Sequence, residues 1–199
     1  MITTIDVMRP GDSGGTYVLT TPPTLTSQGV FQTRASALRL SLQQIDRLLY
    51  SGTDLAFMTA QTIQMIAAET GPLCELEDDV RFSFLSFFEI AEFGRRNDSR
   101  GALIQRGDMV TQQLGGGAFS RQWRRRFHAS VLELAAEMRI REQLHAVVCL
   151  DTPLLTLDAP KDNNGVPRLL RDADWMRYLV ENGKLISTSF HVCPNPLGR

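Results

Sequence analysis

The sequence predicts a mostly α-helical protein: a bundle of about five helices with a small C-terminal α/β element and an extended N-terminal arm. Three observations predict it. Apolar residues recur at helical spacing through most of residues 33–145. Helix stops at Gly52, Gly71-Pro72 and Gly115-Gly116-Gly117 divide that stretch. Hydrophobic residues make up 43% of the 199, enough for a sizeable core.

Residues 1–32 are rich in Thr, Gly and Pro, broken at Pro22-Pro23, and read as a flexible or β-forming arm in which TYVLT and GVFQ are candidate strands. From Thr33, able to cap a helix, Leu38, Leu42, Ile45 and Leu49 fall at i, i+4, i+7 and i+11, and Gly52 ends the run. A second helix is expected from Asp54 to about Thr70, rich in Ala and Met. A third, from about Glu77 to Arg96, holds Phe82, Phe84, Phe87, Phe88 and Phe93 and reads as the central buried helix. A weaker fourth covers 99–114. The fifth, from about Phe119 to Leu144, carries the stripe Phe119, Trp123, Phe127, Val131, Leu134, Met138. After His145, AVVCL and LLTL read as short strands, residues 168–182 as a helix ending at Asn182-Gly183, and LISTSFHVC as a last strand. The organisation expected is an arm over 1–32, a helical domain over 33–145 and a small α/β segment over 146–199 packed on it.

Composition narrows the function. A net charge of −1 excludes a globally basic nucleic-acid binder, though not a basic patch. The three cysteines, Cys74, Cys149 and Cys193, are too few and odd in number for a disulfide framework, so a reducing, cytoplasmic setting is expected. No secretory signal opens the chain, and no uncharged apolar run approaches the ~18 residues of a membrane span. There is no P-loop or GxGxxG, so no cofactor is implied.

Residues 11–15, GDSGG, resemble the loop around the nucleophilic serine of chymotrypsin-like proteases. A catalytic Ser13 would need a His and an Asp brought to it by a β-barrel body. Here all three histidines, His128, His145 and His191, follow in a chain that reads as helical, so the motif is assigned to a turn. A second constellation is Cys149, His191 and Cys193, which would meet at a zinc ion or a reactive thiol if the last strands pair. No paired CxxC spacing supports a metal site.

Charge patterning is the strongest functional signal. Glu69–Glu92 holds seven acids and one base, and Arg95–Arg126 eight arginines and two acids. SRQWRRRF places four arginines in the first turns of the fifth helix, where the macrodipole disfavours cations, so a compensating anion is expected. It is either the acidic block Glu75–Asp79 or an external partner. The binding surface this predicts is Arg121, Trp123, Arg124, Arg125, Arg126 and His128. An Arg and Trp cluster suits an acidic protein surface. The expected function is therefore non-catalytic binding or regulation through a protein partner, with DNA or RNA binding by the same arginines as the alternative, and a zinc or thiol protein as a second. The loose likeness of DMVTQQLGGGAFSRQWRRRF to a helix–turn–helix fails on its three-glycine turn.

Overall fold

The computed structural model describes residues 1–13, 24–51, 53–69, 71–82, 118–150, 158–159 and 170–194. Its centre is a six-stranded mixed sheet. In chain order the elements are β1 (Ile2–Met8), α1 (Ser27–Leu40), β2 (Arg47–Tyr50), α2 (Asp54–Ala68), β3 (Leu76–Asp78), a 3-10 turn at Val80–Phe82, α3 (Ala118–Ile140), β4 (His145–Cys149), β5 (Trp175–Glu181) and β6 (Lys184–His191). Across the sheet the order is β3-β2-β4-β1-β5-β6, with the first four strands parallel and β5 and β6 each antiparallel to the neighbour before it. α1 and α2 cover one face, where Ala37, Leu40, Ala56, Ala60 and Ile63 pack on Met8, Leu48 and Val147. α3 covers the other, with Trp123, Phe127, Val131, Leu134 and Met138 against Ile5, Val7, Val148 and Tyr178. The protein is thus α/β, and the helical-bundle expectation is corrected.

Four elements account for the difference. Residues 2–8, expected in a loose arm, form β1, paired with β4 on one side and β5 on the other. A central strand buried on both faces shows no alternation, and ITTIDVM carries a buried Asp6 and Thr3 that make it look polar. The first helix ends at Leu40, not Gly52, and RLLY is β2. Its expected stripe is not its core face: Leu38 is 54% and Leu42 84% exposed, while Gly29, Thr33, Ser36, Ala37 and Leu40 face inward. The helix expected from Glu77 begins instead as β3 and the 3-10 turn; its remainder from 83, and the fourth helix at 99–114, lie outside the described residues. Residues 175–181, expected helical, are β5. Asn182 (φ 51°) and Gly183 (φ 73°) are not a helix cap but the two-residue loop joining β5 to β6, where both positions need positive φ. The second and fifth helices form as α2 and α3, and the strand expected at AVVCL forms as β4; LLTL lies outside the described residues.

Candidate active site at the carboxyl edge of the sheet

In an open α/β sheet a ligand sits outside the carboxyl ends of the parallel strands, where neighbouring strands send their connections in opposite directions. Here that point lies between β1 and β4. The chain leaves β1 for α1 and β2 on one side, and leaves β4 for β5 on the other. The last row of register partners on the α1/α2 face runs Asp78, Tyr50, Cys149, Met8, Trp175, His191, one residue per strand. Just beyond it come Arg9 after β1 and Leu150 after β4, whose N–H donates to the Met8 carbonyl at 2.9 Å.

The loop after β1 is fixed by its contact with α1. A Cβ on Gly29 would stand 2.0 Å from the Asp12 carbonyl oxygen, and one on Gly11 2.2 Å from that of Gly29, so both positions require glycine. Thr26, the N-cap of α1, accepts from the Gly29 N–H at 3.0 Å and donates its hydroxyl to Asp12 Oδ2 at 2.8 Å. The Asp12 N–H donates to Gln32 Oε1 at 3.0 Å. The described part of GDSGG therefore clamps β1 to α1.

Arg9, the first cation after β1, stands at this edge. Nη1 donates to the Leu170 carbonyl, Nη2 stands 3.9 Å from Asp172, and the buried Nε has no partner among the described residues. Arg81 is closed by Asp79 and Glu137, and Arg47 by Glu77 and Glu137. Burial pushes the Asp79 carboxyl up, but the hydrogen bonds and charge of Arg81 outweigh this and hold it below the usual carboxylate range.

α3 runs from this edge toward the opposite one: Phe127 packs on Tyr178, while Ala135, Ala136 and Arg139 line a cavity with Met1, Thr3 and Val180. In its first half His128 Nε2 lies 2.6 Å from Asp158 Oδ2, Arg124 Nε 3.2 Å from Oδ1, and the Tyr178 hydroxyl donates to Oδ2 at 3.0 Å. Burial, and next the Asp158 charge, raise the Tyr178 phenol well above its ordinary value, so it stays a donor. The carboxylate can only accept, so His128 meets it with Nε2–H as the donor.

Of the residues expected to form a binding surface, the structure brings Arg124 and His128 together on Asp158. Arg121, Arg125 and Arg126 are exposed on α3, and Trp123 is 3% exposed, stacked on Phe127 at 5.0 Å and 7°. Cys149 and His191 are three strands apart in one row, roughly 14 Å at the usual strand spacing, too far to share an ion. Cys193 donates its thiol to the Gln32 carbonyl. Burial raises the Cys149 thiol far above its ordinary value. No metal-holding group of three or more His, Cys, Asp or Glu occurs among the described residues. Asp158, Arg9 and Tyr178 had no signal in the sequence: Asp158 lies 30 positions from His128.

No histidine stands at the carboxyl end of β1, β2, β3 or β4. His145 opens β4 at the opposite edge, His128 is on α3, and His191 ends β6 stacked on Trp175 at 5.0 Å.

The fold is that of phosphoglycerate mutase and of phosphatases built like it. A phosphoglycerate mutase from Bacillus anthracis str. Sterne superposes with a TM-score of 0.63 at 14% identity, over 96% of this chain and 92% of that one. A mycobacterial glucosyl-3-phosphoglycerate phosphatase gives 0.60 at 15%, over 96% and 98%. The same phosphatase has been solved with VO3 and with inorganic phosphate. No known protein-family profile and no curated protein matches the chain by sequence. This likeness corrects the expectation of a non-catalytic regulatory protein working through an Arg/Trp surface, with its nucleic-acid and zinc alternatives: the structures that share the fold are named as enzymes of phosphate esters.

Proposed function

We propose that this protein binds a phosphate monoester at the carboxyl edge of β1, β2 and β4 and hydrolyses it. The observation that carries the reading is the fold, shared over 96% of the chain with a phosphoglycerate mutase and a phosphatase. Arg9, which directly follows β1, is the cation assigned to the phosphate. His128, oriented by a buried carboxylate, is assigned as the proton-handling group. Its carboxylate is in turn held by Arg124 and Tyr178, the third-group arrangement that activated side chains need. No helix among the described residues is long and apolar enough to cross a membrane. The free, buried Cys74, Cys149 and Cys193 favour the cytoplasm, which keeps thiols reduced.

The test is initial-rate hydrolysis of p-nitrophenyl phosphate, with vanadate as inhibitor. The native protein turns the ester over, Arg9→Gln raises KM, and His128→Asn lowers kcat by about 10²–10⁴-fold, the usual contribution of a general acid–base group. Vanadate binding without turnover would keep the ligand class and remove the chemistry. Neither binding nor turnover would remove both.

A further inference from the structure

On its β2–β3 side the carboxyl edge ends in an aromatic pair flanked by acids. Tyr50, the last residue of β2, meets Phe57 of α2 edge-on, with ring centroids 5.3 Å apart and planes at 67°. Phe57 is 37% exposed, and Val80, just past β3, is 76% exposed. Asp54 stands three residues before Phe57 on the same face of α2. Asp78 is the register partner of Tyr50, so the two side chains leave the sheet on one side. Both carboxylates are exposed, and neither has a cationic partner among the described residues. The positive end of α2 offsets Asp54 in part, while Asp78 has no such compensation.

The spacing ties this pair to the crevice. One strand, β4, separates β2 from β1, so Tyr50 lies about 10 Å along the edge from the end of β1, where Arg9 begins. Of the described residues in the interval, Cys149 and Leu150 are both fully buried and uncharged by type. For an ester held at Arg9 to meet the aromatic pair, its organic half would have to extend over that interval of about 10 Å. An acid arriving there meets Asp54 and Asp78 well within the ~8–10 Å over which charges repel at ordinary salt.

We infer that Tyr50 and Phe57 select the organic half of the ester, so that the site takes aromatic or other uncharged apolar phosphate esters and rejects those bearing a carboxylate. This rests on the phosphate-ester reading above, and it sets the chain apart from a phosphoglycerate enzyme. Calorimetric titration with inorganic phosphate, phenylphosphonate and 3-phosphonopropionate tests it; the two phosphonates have no cleavable ester, so binding is read without turnover. Phenylphosphonate should bind at least about tenfold tighter than 3-phosphonopropionate, a gap of about 1.4 kcal/mol. Phe57→Ala should weaken phenylphosphonate about three- to tenfold and leave inorganic phosphate unchanged, since an aromatic contact is lost and no charge is. The double variant Asp54→Asn, Asp78→Asn should tighten 3-phosphonopropionate alone. Phosphate binding with no preference between the phosphonates, or an equal effect of Phe57→Ala on phosphate and phenylphosphonate, overturns this inference. Failure to bind any of the three, phosphate included, overturns the phosphate-ester reading and this inference with it.

Discussion

Asp6 on β1 and His145 on β4 face each other across neighbouring strands, carboxylate oxygen to imidazole Nε2 at 2.8 Å. Arg177 of β5 closes on the same carboxylate from the other side, Nε and Nη2 each at 2.8 Å. One fully buried anion therefore joins three strands, and the other ring nitrogen of His145 lies 3.2 Å from the Gln44 carbonyl. Asp6→Ala leaves the buried His145 and the part-exposed Arg177 without their shared acceptor. Removing one partner from such a cluster costs about 3–5 kcal/mol. Urea melts should show that loss; a change below about 1 kcal/mol would mean the cluster does not hold the strands together.

Acid should act through the same groups. Burial pushes the Asp6 carboxyl up, but the hydrogen bonds of Arg177 and His145 prevail and hold it below its ordinary value. Asp79 and Glu137 are likewise lowered by Arg81, with Arg47 adding to Glu137. A depressed carboxyl contributes stability that is fully present above its unfolded pKa, about 4, and is lost as pH falls through the folded value. Asp174 works the other way, raised by burial, and gives back a part in the same range. The expected outcome is a steep stability loss below about pH 4 that Asp6→Asn makes shallower. A melt temperature flat from pH 5 to pH 2.5 would contradict it.

Gly29→Ala should destabilise strongly, because the new Cβ would meet the Asp12 carbonyl oxygen at 2.0 Å, with backbone on both sides of the contact. Gly71→Ala, whose Cβ would have only the Ala67 carbonyl at 3.8 Å, serves as the control and should leave thermal melts nearly unchanged. Equal effects at the two positions would mean that the loop after β1 is not clamped to α1.

Removing residues 1–8 should abolish cooperative unfolding, since β1 lies between β4 and β5 and supplies Ile5, Val7 and Met8 to both cores. Near-ultraviolet circular dichroism of the truncated chain reads this directly. A retained tertiary signal would return these residues to the status of an arm.

What the sequence disclosed followed from where periodicity and burial agree. α3 was legible because Trp123, Phe127, Val131, Leu134 and Met138 are both helically spaced and buried. α2 was legible from its Gly71-Pro72 stop. β2 was hidden because Ile45 and Leu49 fall in helical phase with Leu38 and Leu42, residues that prove exposed. β1 was hidden because Asp6 and Thr3, polar by type, are buried by tertiary pairing that no local pattern reports. β5 did carry a signal: Asn182-Gly183 between β-branched and aromatic runs marks a hairpin, and the helical spacing of WMRYLV masked it. At the candidate site His128 and Arg124 were visible as members of the arginine-rich segment, but not their pairing, because the carboxylate that joins them, Asp158, is 30 residues from His128 and could be found only in three dimensions.

The phosphate-ester assignment is tested most directly by an amide NMR titration of the whole protein with orthovanadate. Saturable shifts are predicted in Arg9–Ser13, Ser51–Asp54 and Leu150, together with the side chain of His128, while the opposite edge of the sheet at Ile2, Asp46, Leu144 and Lys184 stays still. Absence of saturable shifts, or shifts confined to that opposite edge, would contradict the assignment.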